Sequence, residues 1–436
     1  MIRVVVLIAA AWLAALPARA LDIQEITTPG GVTYWLVEEP AIPIVALEMS
    51  FRGGARLDRD GRGGTAAMVA SLLGKGAGAL DEVAFEQARD ALSARFGFGS
   101  GRDSFTVSAR LLAENAQASA ELLASTLTDP QFAPQPTERV RAQILAGIAE
   151  AETDPGSVAR RAWLASAFPD HPYGRPSSGT ATSVAAITHE DLTGALPRLL
   201  TRANAKVAIV GAIEPEAASR LVDTLMAGLP EGEEIARTWQ PSAPEPGIEV
   251  IALDVPQSAA IFGHGAIPRT DPDFIPAFVM NYILGGGSFN SRLTEEVREK
   301  RGLAYSVYSY MSVFDERALY MGSVQTANEG MAQSLDVIRA EWTRMAEEGL
   351  TEADLEKAKK YLTGAFPLRF DSNAKIAGYL VFLQEEGLGR RYLEERNDLI
   401  MAVTLEDTNR AAARLLQPDA LSITVVGMPE GISSTR

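Results

Sequence analysis

The chain has 436 residues, more than one ordinary core accommodates, so at least two domains are expected. Hydrophobic residues make up 47% and charged residues 22%, a globular composition that excludes both a disordered chain and a polytopic membrane protein. The formal net charge is −16 with no Lys/Arg cluster, which argues against a nucleic-acid partner, and there is no cysteine.

Residues 1–20 stand apart from the rest. Met1-Ile2-Arg3 is a short basic start, 4–16 is an apolar run too short to span a bilayer comfortably, and Pro17-Ala18-Arg19-Ala20 ends it with an A-x-A signature. This reads as a secretory signal peptide cut after Ala20. The expected mature chain starts at Leu21, is periplasmic or secreted, and has no stable membrane anchor. A retained N-terminal anchor is the competing reading, and the A-x-A site disfavours it. The lack of cysteine fits either compartment, because a large core needs no disulfide staples.

Beyond it, the patterning predicts a strand at 44–51, helices at 64–73 and 83–95, and a strand at 103–111. Helices follow at 115–128, 137–152, 157–167 and 189–200, then a strand at 206–210 and a helix at 214–227. Residues 231–247, rich in proline and acidic or small side chains, read as a linker between domains at 21–230 and 248–436. The second domain shows strands near 259–265, 303–311, 317–325 and 420–426. Its helices lie near 272–284, 329–348, 351–363, 371–387 and 404–415. Hairpins mixed with helical pairs predict an α+β fold, each antiparallel sheet covered by helices mainly on one face.

The two domains echo one another. Leu72-Leu73-Gly74-Lys75-Gly76 is matched by Ile283-Leu284-Gly285-Gly286-Gly287, Ala113-Glu114-Asn115 by Ala327-Asn328-Glu329, and Ala208-Ile209-Val210-Gly211 by Thr424-Val425-Val426-Gly427. The three echoes keep their chain order and a nearly constant offset of about half the chain, which predicts two copies of one domain.

The most informative stretch is 285–310. It reads as a triple-glycine turn, a short charged helix with Leu293 and Val297 on its buried stripe, a stop at Gly302, and a strand. Strand alternation places Tyr305, Val307 and Ser309 on one face and Ser306, Tyr308 and Tyr310 on the other. Arg298 and Tyr305 could together donate hydrogen bonds to one carbonyl oxygen or oxyanion. They could equally be an ion-pair residue beside Glu295, Glu296 and Glu299 and a half-buried strand tyrosine.

The glycine run, the spacing of seven from Arg298 to Tyr305 and the flanking Leu-Ala-Tyr-Ser-Val-Tyr-Ser closely resemble the Arg/Tyr segment of the pitrilysin/insulinase-type peptidases, the inverted zincins. The resemblance covers about residues 24–428. It implies two similar domains forming half of a clamshell, with Arg298 and Tyr305 acting on the substrate carbonyl across from a zinc ion. Active members carry His-x-x-Glu-His on the first domain's helix, where two histidines bind zinc and the glutamate activates water. Here the histidine positions hold Ala67 and Ser71, the base position holds Ala70, and the third ligand aligns with Gly147. Glu150 is a remote candidate for a displaced ligand. Neither alanine offers a lone pair and serine is a poor zinc ligand, so no catalytic zinc is expected in this chain.

His171, His189 and His264 are the only histidines, none at helical ligand spacing, and each reads as structural or solvated. Arg369, in Phe366-Pro367-Leu368-Arg369-Phe370-Asp371, reads as a structural ion-pair residue in preference to one that touches the substrate chamber. No Gly-x-Ser-x-Gly elbow or phosphate loop is present. The resemblance therefore implies the zinc-less subunit of a heterodimeric peptidase. Its partner would be a homologous His-x-x-Glu-His subunit carrying zinc, and its substrates unstructured peptides. The alternative is a binding or scaffold protein that keeps the fold without proteolysis.

Overall fold

Val45, Leu47, Met49 and Phe51 alternate with Ala46, Glu48, Ser50 and Arg52, and this period of two forms β3 (Ile44–Arg52) at the centre of a first sheet. In the computed structural model, which describes residues 21–436 (the Ser288 side chain aside), that sheet also holds β1 (Gln24–Thr27), β2 (Thr33–Glu38), β4 (Arg95–Ser100), β5 (Ser104–Leu112) and β6 (Ala205–Gly211). The strand order is β1-β2-β6-β3-β5-β4. A second sheet, ordered β7-β11-β8-β10-β9, is built from β7 (Gly247–Ala252), β8 (Gln257–Gly265), β9 (Ala304–Val313), β10 (Ala318–Ala327) and β11 (Ser422–Gly427). Apart from β1, the two orders are the same permutation of five strands. The predicted repeat is thus a repeat of topology. The expected signal peptide lies outside the described residues.

The fold is α+β with two similar halves, each a mostly antiparallel sheet covered by helices, as expected, and it differs from the expectation in two details. Each sheet is mixed rather than purely antiparallel, because β2 runs parallel to β6 and β7 parallel to β11. Helices also cover both faces. In the first half, Ala66 and Val69 of the helix Thr65–Leu72, Leu123 of Ala116–Thr128, Ile148 of Pro134–Thr153 and Leu221 of Pro215–Met226 join Val45, Leu47, Met49 and Phe51 in one core. The opposite face of that sheet, with Trp35, Ala46, Ala208 and Val210, packs on Ile376, Leu380 and Val381 of the helix Asn373–Glu385, which belongs to the second half. The exchange is reciprocal. Trp163, Leu164 and Ala167 of the helix Pro155–Ala167 cover Ile261, Leu319, Met321 and Val426 of the second sheet. Trp163 is fully buried, and its indole N–H donates to the Ser422 carbonyl at 2.9 Å.

Polar groups fasten the same junction. Asp315, in the turn between β9 and β10, pairs with Arg52 at 3.2 Å and with Arg237 at 2.7 Å. The Tyr173 hydroxyl donates to Asp103 at 2.6 Å, and Asp103 in turn accepts from the Asp315 backbone N–H. His171 faces Glu316 at 3.0 Å, so this histidine joins the two halves. The segment ahead of β7 has no regular structure, yet it is pinned: Ile235 N–H donates to Asn204 and Gln240 N–H to the Glu316 carbonyl. Among the described residues no helix is long and apolar enough to cross a membrane.

Candidate functional site

The helix Phe274–Asn281 runs into a wide turn, Tyr282–Gly286, with π geometry. Asn281 fixes it: its side-chain oxygen accepts from Ser309 Oγ and from the Tyr320 hydroxyl, both at 2.8 Å. These buried bonds tie the turn to β9 and β10. Gly285 is required there, because a Cβ would lie 2.3 Å from Ser309 Oγ and 2.6 Å from Ser309 N. The glycine run is therefore a close-approach device that seats the turn on the edge strand β9.

Next comes the charged segment. Leu293 and Val297 are fully buried, as their spacing predicts. The segment Thr294–Glu299 is a π-helical turn rather than an ordinary α-helix, a geometry frequent at functional sites. Gly302 has φ +62°, its N–H donates to the Arg298 carbonyl at 2.8 Å, and Leu303 N–H donates to the Val297 carbonyl at 2.9 Å. Of the acidic neighbours, Glu296 is buried and holds Lys300 and Arg301, each at 2.7 Å, and these bonds keep its carboxyl below the usual range. Glu295 pairs with Lys300 at 3.0 Å. That leaves Arg298 with only Glu299, at 3.3 Å, as an acidic partner among the described residues.

Arg298 instead lies between two rings. Its guanidinium carbon is 4.9 Å from the centre of the Tyr305 ring and 4.8 Å from that of Phe289. The structure thus brings Arg298 and Tyr305 together. Tyr305 is 82% exposed, which removes the half-buried reading. Its orientation also corrects the expected alternation. Thr326 pairs with Ala304 and Gln325 with Ser306, so Tyr305 has no partner across the ladder and is the extra residue of a β-bulge. Ala304, Val307 and Ser309 are buried, whereas Tyr305, Ser306 and Tyr308 are exposed. The bulge turns Tyr305 away from the face of Val307 and Ser309 and out towards solvent beside Arg298. Phe289, 66% exposed, is a part of this arrangement to which sequence reasoning assigns no role. Its only signal is a large aromatic just after the glycine run. Chemically, the guanidinium and the phenol are neighbouring donors on an open surface, suited to holding a carbonyl oxygen or an oxyanion.

The matching surface of the first half has no such equipment. Ala67, Ala70 and Ser71 lie on the helix Thr65–Leu72, whose N-terminus is held by Asp58 accepting from Gly64 N–H at 2.7 Å and Ala66 N–H at 2.9 Å. Ala70 is buried, and the Ser71 hydroxyl donates to the Ala67 carbonyl at 2.9 Å. Gly147 is exposed on the neighbouring helix, and a Cβ there would meet nothing within 4 Å. Methyl groups, a self-satisfied hydroxyl and a bare backbone are not a zinc donor set. Glu150 is exposed, and no group of three or more His, Cys, Asp or Glu among the described residues is placed to hold a metal ion.

The other candidates resolve individually. His264 is buried, accepts from the Trp342 indole N–H at 3.1 Å, and is held below its ordinary range by burial. His189 opens the helix His189–Leu199, which is capped by Thr188. Arg369 is a correction: it ends the single tight turn Phe366–Arg369, where it is exposed and enters no ion pair among the described residues.

Two family models match the chain: insulinase (peptidase family M16) over residues 34–181, and peptidase M16 inactive domain over residues 186–362. A non-peptidase homolog from Helicobacter pylori is 26% identical over 355 residues, covering 81% of this chain and 82% of its own. An uncharacterized zinc protease from Mycobacterium bovis is 27% identical over 409 residues, 92% of each chain. The crystal structure of a peptidase M16 inactive domain from Pseudomonas fluorescens aligns with a TM-score of 0.88 at 29% identity, covering 95% of this chain and 100% of that one. Fold, repeat and matched segments agree, and the chain belongs to the M16 (insulinase/pitrilysin) peptidase family.

Proposed function

We propose that this chain is the zinc-less subunit of a two-chain peptidase, working in the periplasm or outside the cell after loss of residues 1–20. A homologous partner bearing His-x-x-Glu-His supplies zinc and the general base. Arg298 and Tyr305 bind the scissile carbonyl of an unstructured peptide and hold the oxyanion of the tetrahedral intermediate. One observation carries this reading: Arg298 on the π-helical turn lies beside the exposed Tyr305 on the bulge of the edge strand β9, in a chain whose own metal positions carry no zinc ligand set. A pair of donors without a base complements a chain that brings the base.

The test is reconstitution. The mature chain, alone and mixed with a zinc-bearing sibling, is assayed on a fluorogenic unstructured peptide, with bound zinc measured in each case. The expected result is a zinc-free, inactive chain that restores turnover on mixing. Losing one oxyanion donor typically costs about 10²–10³ in kcat. Tyr305→Phe should therefore lower turnover by that factor and leave assembly intact. Unchanged turnover removes the assigned role.

A second reading, a binding or scaffold protein without proteolysis, draws on the Helicobacter relative's description as a non-peptidase homolog. A mixture no more active than the sibling alone would favour it.

A further inference from the structure

A cavity of about 440 Å³, open to solvent, lies in the first half between the helices Pro134–Thr153 and Pro155–Ala167 and the loop at 174–179, beside Gly147. Its wall is apolar, with Ile144, Ile148 and Leu164. Arg102, Arg160, Arg161 and Arg175 also line it, and no Asp or Glu among the described residues does. In a chain of formal net charge −16, such a concentration of arginine without acid runs against the overall balance.

The partners of these arginines are few. Arg175 pairs with the fully exposed Asp60 at 2.7 Å, and Arg161 reaches the exposed Glu152 at 3.7 Å, both contacts that water screens. Arg160 donates to the Tyr310 hydroxyl at 2.9 Å and is also engaged by Tyr308, which ties the pocket to β9. Arg102 is half-buried, and its guanidinium makes no hydrogen bond or ion pair among the described residues. The adjacent acid, Asp103, is already engaged by the Tyr173 hydroxyl, the Asp315 N–H and Arg56. Burial, with Arg160 adding to it, holds the Arg102 guanidinium below its ordinary value against the attraction of Asp103. A partly desolvated guanidinium without a protein partner, beside apolar side chains, favours the arrival of an anion.

We propose that this pocket binds a peptide carboxylate, with Arg102 and Arg160 holding the anion and Ile144, Ile148 and Leu164 receiving the apolar side chain beside it. An arginine fork matches a carboxylate in shape as well as charge. A C-terminal carboxylate and an acidic side chain share this chemistry, and the experiment separates them. The site does not depend on a partner subunit or on zinc, so it stands whether the chain is a peptidase subunit or a scaffold.

The test is fluorescence anisotropy with the mature chain alone. Three fluorescein-labelled probes are compared: Ala-Ala-Ala-Leu-Phe as the free acid, the same peptide as its C-terminal amide, and the amide of Ala-Ala-Ala-Phe-Glu. The free acid should bind at least about tenfold more tightly than its amide, the factor expected for losing a charge-assisted contact. Raising salt should shrink that ratio. Arg102→Gln should abolish it while leaving the circular dichroism unchanged, since no described residue bonds to the Arg102 side chain. Binding of the Glu-containing amide assigns the site to any carboxylate, and its failure assigns it to the C-terminus. Equal affinity of free acid and amide for the unmodified chain overturns the proposal without recourse to any variant. So does discrimination that survives in a folded Arg102→Gln.

Discussion

Glu48 offers a test of how the two halves are joined. It lies on the face of β3 that the helix Asn373–Glu385 covers, where Glu385 from that helix accepts a hydrogen bond from Ser50. Burial, and then the nearby Glu385, push the Glu48 carboxyl up to about 7. Glu385 is raised as well, chiefly by burial. The unfolded chain releases the Glu48 proton near the ordinary 4.5, whereas the folded chain keeps it to about 7. The folded state therefore binds more protons across that window, and stability falls as pH rises through it, levelling off above. At about 1.4 kcal/mol per pH unit the ceiling is ~3.5 kcal/mol, and residual contact with water brings the expectation to ~1–2 kcal/mol. Glu48→Gln mimics the protonated side chain and removes the titration. Urea unfolding of residues 21–436 at pH 5 and pH 8 is the assay. The variant should match the unmodified protein at about pH 5 and exceed it by ~1–2 kcal/mol at pH 8. An offset that is the same at both pH values refutes the reasoning, because Glu48 would then be solvated and the helix not seated across it.

Two further perturbations probe the scaffold. Trp163→Ala removes the largest anchor of the exchanged helix and leaves the Ser422 carbonyl without its indole donor, so a loss of about 3–5 kcal/mol is expected, read from the urea midpoint. A loss below about 1 kcal/mol would mean that the helix does not cover the second sheet. Gly285→Ala places a methyl against Ser309 and Leu293 and should cost about 1–3 kcal/mol by overpacking. Under the proposed function it should also lower turnover of the reconstituted pair, because β9 carries Tyr305. Full activity with unchanged stability would show that the turn and β9 are not in contact.

How much of this is legible in the sequence differs by element, and each difference has a physical reason. Leu72–Gly76 and Ile283–Gly287 do fall at equivalent helix ends, and Ala113–Asn115 and Asn328–Gly330 form equivalent tight turns after β5 and β10. Such local motifs are fixed by backbone needs and survive when packing residues diverge. The helix predicted to 95 instead ends at Ala91, and Arg95–Ser100 forms the edge strand β4. Its Phe-Gly-Phe-Gly core has too many glycines to read as a strand. β1, β2, β7 and the helix Tyr392–Ala402 are further elements that the predicted set lacks. The exchange of helices is invisible for a different cause. A stripe such as Trp163 and Ala167 announces that a helix face is buried, but period alone never names the sheet that buries it.

The Arg298/Tyr305 pair shows where sequence and structure each contribute. A spacing of seven across a helix end and a strand start says that two residues are near, and their types say that both donate. Nothing in that spacing decides whether the phenol points into the sheet or out of it. Strict alternation puts Tyr305 with Val307 and Ser309, the buried face, where the Asn281 network already occupies the space. Had that alternation held, the phenol would be lost to the core and Arg298 would be an ordinary surface cation beside Glu299. One unpaired residue in the β9–β10 ladder reverses the outcome. It arises where the π-helical turn, ended by Gly302, delivers the chain to β9, so the widened turn and the bulge are two parts of one device. The candidate chemistry of this chain rests on that irregularity, which is why regular periodicity finds the residues and misplaces one of them.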